Sequence, residues 1–88
     1  MAQAAFADTL TAAGVVRARP GLHRALTAGR IELADRIVAF PAECQLAVAA
    51  LLSGEPVRVA DLPGLDEQSQ LVLVRRLLRE AIVMPAGL

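Results

Sequence analysis

Arg75, Arg76 and Arg79 form a tight cationic cluster near the C-terminal end of the chain. A guanidinium can hold a phosphate or a carboxylate through two parallel hydrogen bonds, so such a cluster suits a charged partner. The three arginines fall largely away from the apolar stripe of the helix that carries them, with Gln68 and Val72 nearer its start, and the five residues Gln68, Val72, Arg75, Arg76 and Arg79 are the candidate partner or nucleic-acid contact set. The bland alternative is a solvated basic face whose charges suit the C-terminal end of a helix dipole. Nucleic acid is the disfavoured partner. The chain carries nine Arg, no Lys and nine acidic residues, for a formal net charge of zero. Phosphate binding normally calls for a basic excess. A helix in a major groove reads bases mainly with its N-terminal part. Here that part offers Glu67, Gln68 and Gln70, and although Gln can read adenine, Asp66 and Glu67 would face the phosphates.

The other reactive side chains do not assemble into catalysis. His23 is the single histidine, and no zinc spacing, nucleophile elbow or phosphate loop accompanies it. It reads as a solvated side chain on a strand face. Asp61, Asp66 and Glu67 stand at a turn and a helix start, where capping accounts for them, and Ser69 reads as a capping aid. Cys44 is alone, which excludes an internal disulfide, and reads as a small buried hydrophobe within a helix. The expectation is a protein that is no enzyme, with no catalytic, cofactor-binding or metal-binding residues.

The elements that must position the arginine cluster lie between Pro56 and Pro85. Leu71, Val74, Leu78 and Ala81 recur at i, i+3, i+7 and i+10, widened by Leu73 and Leu77, which predicts an amphipathic helix over Asp66–Ala81. Asp66 is its N-cap, and Pro63-Gly64 supplies the tight turn before it. A short strand over Pro56–Val59 and a one-turn helix from Ala60 to Leu62 precede that turn. Ile82–Met84 follows as a closing strand. Upstream, alternation at Leu22–Leu26, Ile31–Leu33 and Arg36–Phe40, with turns at Thr27–Gly29 and Ala34-Asp35, predicts a small antiparallel meander. A helix through Leu22–Ala28 is the competing reading. Pro41 opens a helix over Ala42–Ser53, with Cys44, Val48, Leu51 and Leu52 inward and Gly54 as its stop. The fold class is therefore α+β: a winged helix-turn-helix with a small antiparallel meander and an extra N-terminal helix.

Residues 17–86 resemble the C-terminal winged-helix module of Jumonji-C-type cupin oxygenases, the ribosomal-protein-hydroxylase group. The likeness rests on RPGL at Arg19–Leu22, Phe40-Pro41, the Gly54-Glu55-Pro56 break, DLPGLD at Asp61–Asp66 and LVRRLLRE at Leu73–Glu80. It implies an accessory module serving protein contacts or substrate placement. It implies no iron chemistry here, because a two-histidine, one-carboxylate site needs two histidines. The chain also departs from the pattern at Ala81, where a glycine is expected to end the helix.

Composition adds an assembly expectation. The chain is 56% hydrophobic with two phenylalanines as its sole aromatics. A domain of 88 residues has a high surface-to-volume ratio and leaves part of that apolar surface exposed. Residues 1–14 read as a helical arm over Ala2–Ala13, and 15–88 as the winged-helix-like body. Phe6 and Leu10 on the arm are the candidate oligomer interface of a homodimer or of a tight complex with a larger protein. The N-terminus lacks a basic lead-in and no apolar run is long enough for a membrane, so the expected setting is cytoplasmic. The leading function is a non-enzymatic protein-interaction module that contacts a protein partner or itself. The alternatives are a small DNA-binding transcriptional regulator and a peptide-docking domain of a biosynthetic pathway.

Overall fold

Alternating residues between Leu22 and Phe40 form strands because one side of each can be buried and Gly29 permits the reversal. A computed structural model describes residues 10–86 of the chain, apart from 12 and 23. It shows β2 (Arg24–Thr27), β3 (Arg30–Leu33) and β4 (Ile37–Ala39) as an antiparallel meander in that order. Leu26 faces Ile31, and Ile31 faces Val38; Ile31 and Val38 are buried in the core. The β2–β3 turn places Gly29 at φ 80°, a backbone conformation that side-chain-bearing residues resist. The competing helix through Leu22–Ala28 does not form.

A second antiparallel sheet has the order β5-β1-β6, from β5 (Val57–Arg58), β1 (Val15–Ala18) and β6 (Val83–Pro85). Val16 pairs with Val57 on one side and Pro85 on the other. Arg17 pairs with Met84 and Ala18 with Val83. In sequence, α1 (Gln45–Leu51) runs between β4 and β5, and α2 (Glu67–Arg79) between β5 and β6. The described residues are thus α+β, with two α-helices and two small antiparallel sheets around one core.

Three local features differ from the sequence expectation. Ala42–Cys44 is a 3-10 turn with Pro41 as its N-cap, so α1 proper starts later and ends at Leu51. The one-turn helix before the Pro63-Gly64 turn is likewise 3-10, over Val59–Asp61. The N-terminal helix over Ala2–Ala13 falls mostly on residues outside those described, Phe6 included. At its far end Leu10 and Thr11 are irregular, and Ala13 lies in a turn where Gly14 N–H donates to the Thr11 carbonyl at 2.9 Å.

The long helix is built as its sequence asks at the start and against it at the end. The Asp66 carboxylate accepts from Ser69 N–H at 2.8 Å, a side-chain N-cap. This bond holds the Asp66 pKa below its ordinary value, because it stabilises the charged form. At the other end, Ile82 N–H donates to the Leu77 carbonyl at 3.0 Å and Ala81 N–H to the Leu78 carbonyl at 3.1 Å. That is the Schellman pattern, and it puts Ala81 at φ 62°. The expectation that alanine would force a longer or different exit is corrected. Ala81 takes the left-handed conformation because Ile82 and Val83, both fully buried, must turn back onto the core.

Candidate partner-binding groove

Around the 3.6-residue helix, α2 presents Gln70, Leu73, Val74, Leu77 and Leu78 to the core. Gln70 was expected at a reading tip. Instead its side chain is buried, and Nε2 donates to the Leu62 carbonyl at 2.9 Å and the Ala60 carbonyl at 3.3 Å. It ties the turn before α2 to the helix and meets no outside partner. The buried stripe is therefore centred between Val74 and Leu77; Leu71 is only partly buried, and Ala81 stands outside the helix.

The five candidate contacts split across the opposite side. Consecutive residues sit about 100° apart on a helix, so Arg75 and Arg76 lie on different flanks. Arg75 is partly buried and donates through Nη2 to the Leu10 carbonyl at 3.3 Å, and its buried Nε meets no partner among the described residues. It is a packing residue. Arg79 is exposed near the helix end. Arg76 leans the other way, toward β4, and donates through Nη1 to the Ala39 carbonyl at 2.8 Å. Gln68 and Val72 share the Arg76 side, and all three line one groove of about 270 Å³. Leu10, expected at an interface, is buried at 4% exposure in the core of its own chain.

The opposite wall of the groove comes from the end of β4 and the 3-10 turn after it: Phe40, Pro41, Glu43 and Cys44. Leu65, Ser69 and Leu73 complete it from the α2 side. β4 and α2 run in opposite directions along it. Arg36 contacts Glu80 at one end, through Nε to Oε1 at 3.0 Å and through Nη2 to the Glu80 carbonyl. Ala39 meets Arg76 next. Glu43 comes last, where its carbonyl lies 3.6 Å from the position a side chain on Gly64 would take. The middle is apolar, and Val72 is 59% exposed there, a costly placement for a large aliphatic side chain.

Beside the groove, β4 is a sheet edge. Phe40 N–H donates to the Gly29 carbonyl and Leu33 N–H to the Arg36 carbonyl, so the backbone groups of residues 36, 38 and 40 face β3. In an antiparallel strand the intervening residues then point outward. Ile37 and Ala39 present their N–H and C=O groups to the free edge, and Arg76 takes the Ala39 carbonyl. The Ile37 side chain is 62% exposed.

Cys44 at the groove floor is a free, buried thiol. Burial pushes its pKa up, and the neighbouring Glu43 charge adds to this; both disfavour the reactive thiolate. The reading of Cys44 as a small hydrophobe fits this setting. His23 is outside the described residues. Among the described residues no group of three or more His, Cys, Asp or Glu side chains could hold a metal ion, and no helix is long and apolar enough to cross a membrane.

Sequence reasoning had Gln68, Val72 and Arg76 among its five candidate contacts. It missed Phe40, Pro41, Glu43 and Leu65, which arrive from other elements. One available signal was Ile37, an aliphatic residue that shares its face of the meander with Arg30 and Glu32 of β3. Neither models of known protein families nor curated protein sequences match this chain.

Proposed function

We propose that this chain is a non-enzymatic protein-interaction module of winged-helix type, and that it docks an extended partner segment between β4 and α2. The observation that carries the reading is the coincidence of an open strand edge with an apolar groove whose central residue, Val72, is largely exposed. Strand addition uses main-chain hydrogen bonds for affinity and side-chain pockets for specificity, and the outward groups of β4 and the groove beside it would serve these two needs. The order of helix, 3-10 turn, helix and strand supports the winged-helix assignment. The likeness to the accessory module of Jumonji-C-type oxygenases supports a role in protein contact rather than chemistry.

The DNA-binding alternative is weaker for reasons of charge. The tip of α2 carries Asp66 and Glu67, Gln70 is buried, and Arg75 and Arg76 point to opposite flanks. Two titrations separate the readings. Fluorescence anisotropy with a random-sequence duplex is expected to show no steep loss of binding between about 50 and 200 mM salt, the mark of phosphate contacts. Peptides selected from a random display library are expected to shift the amide signals of residues 37–39 and of α2. Steep, salt-dependent duplex binding without such peptides would overturn the docking reading.

A further inference from the structure

The partner's chemistry follows from how the groove's charges are already committed, an argument that rests on the docking reading above. Arg36 is neutralised, since its guanidinium meets both Asp35 at 3.0 Å and Glu80 at 3.0 Å. Arg76 differs. Among the described residues it meets a backbone carbonyl, that of Ala39, and no carboxylate. Its charge is the uncompensated positive charge of the groove. Glu43 supplies a negative charge at the other end.

The Ala39 carbonyl is also one of the outward groups an added strand would need. Arg76 therefore acts as a latch over the β4 edge, satisfying that carbonyl while the groove is empty. An incoming strand can replace it only if the guanidinium gains something better. A carboxylate is that replacement, because a hydrogen bond between two ionised groups is stronger than one to a neutral carbonyl.

We infer that the groove takes an extended peptide with a branched aliphatic side chain seated over Val72 and a carboxylate, Asp or Glu, beside it at Arg76. The carboxylate draws the guanidinium off the Ala39 carbonyl, which then accepts an N–H from the peptide. Glu43 sets the direction of binding, since an acidic residue at its end would be repelled. Partners are thus read by both polarity and pattern, an acid next to an aliphatic residue at one end only.

The test is selection of a random twelve-residue phage-displayed library on the immobilised full chain, followed by binding of the selected synthetic peptides. The expected sequences carry Asp or Glu within two residues of Val, Ile or Leu. Those peptides should lose about tenfold or more in affinity for Arg76→Glu, and selection on that variant should exchange the acid for Lys or Arg. Arg76→Lys should keep the acidic preference. If Arg76→Glu melts early, Arg76→Met serves instead, with the acidic preference expected to vanish. Peptides that map to the groove without an acidic preference, or that bind Arg76→Glu within about twofold, overturn the inference and leave the docking reading standing. Selection of no peptide, or of peptides that shift amides elsewhere, overturns both.

Discussion

Replacing Ala81 with glycine should stabilise this protein, although alanine-to-glycine changes usually do the opposite. Ala81 sits at φ 62°, where the β-carbon crowds the following carbonyl at a cost of roughly 1–2 kcal/mol. Glycine removes that strain. It also gives the unfolded chain more freedom, which takes back about 0.4–1 kcal/mol. From the middle of each range the net gain is about 0.8 kcal/mol, equal to an increase in Tm of about 3–6 °C for a domain of this size. The bonds at the site survive the change because they are backbone bonds: Ala81 N–H to Leu78, Ile82 N–H to Leu77, and the Ala81 carbonyl accepting from Arg19 Nε at 3.0 Å. The same substitution at Ala49, exposed within α1, supplies the control. There the backbone is helical, and glycine should cost about 1 kcal/mol. Thermal melts followed by circular dichroism would measure both. A Tm for Ala81→Gly equal to or below that of the parent would refute the left-handed assignment and the account of how α2 ends.

Two further outcomes follow from the same helix. Leu78→Ala, at a position 1% exposed, should lower the free energy of unfolding in urea by about 2–5 kcal/mol; a change under about 0.5 kcal/mol would show that this stripe is not core. Asp66 has its folded pKa depressed below the ordinary 3.8 by its bond to Ser69, so its contribution is present above the unfolded value and lost as pH falls through the folded one. Asp66→Ala should accordingly lower the Tm at neutral pH, with the gap to the parent closing in acid, and a gap that stays constant into acid would sink that account.

The parts of this fold that were legible in the sequence are those whose causes are local. The Asp66 cap, the Gly64 turn and the apolar period of α2 lie within a few residues of one another. The meander was readable because its alternation and the Gly29 turn need no distant partner. β1 was not readable as a strand: Val15–Ala18 pairs with residues near 58 and 85, and nothing in four residues announces such partners. Ala81 misled for a related reason, since burial of Ile82 and Val83 overrides a preference of about 1 kcal/mol. At the groove, the side of the helix away from the apolar stripe supplied one wall, Gln68, Val72 and Arg76. Gln70 and Arg75 lie elsewhere, because a polar side chain need not point outward. Burial of Gln70 against two carbonyls shows that a long amide can belong to the core when loop carbonyls there lack donors.

The pairing of β1 with β6 also joins the first strand of this body to its last. Ala86 N–H donates to the Val15 carbonyl at 2.9 Å, so residues 15 and 86 stand at neighbouring-strand distance, about 5 Å. A polypeptide that comes in and goes out through adjacent points can be spliced into a surface loop of a host protein without prying the host's loop ends apart. The body would then hang from its host by a two-stranded stem. The groove, framed by β4, the turn after it and α2, uses neither strand of that stem and would keep its shape in such a graft.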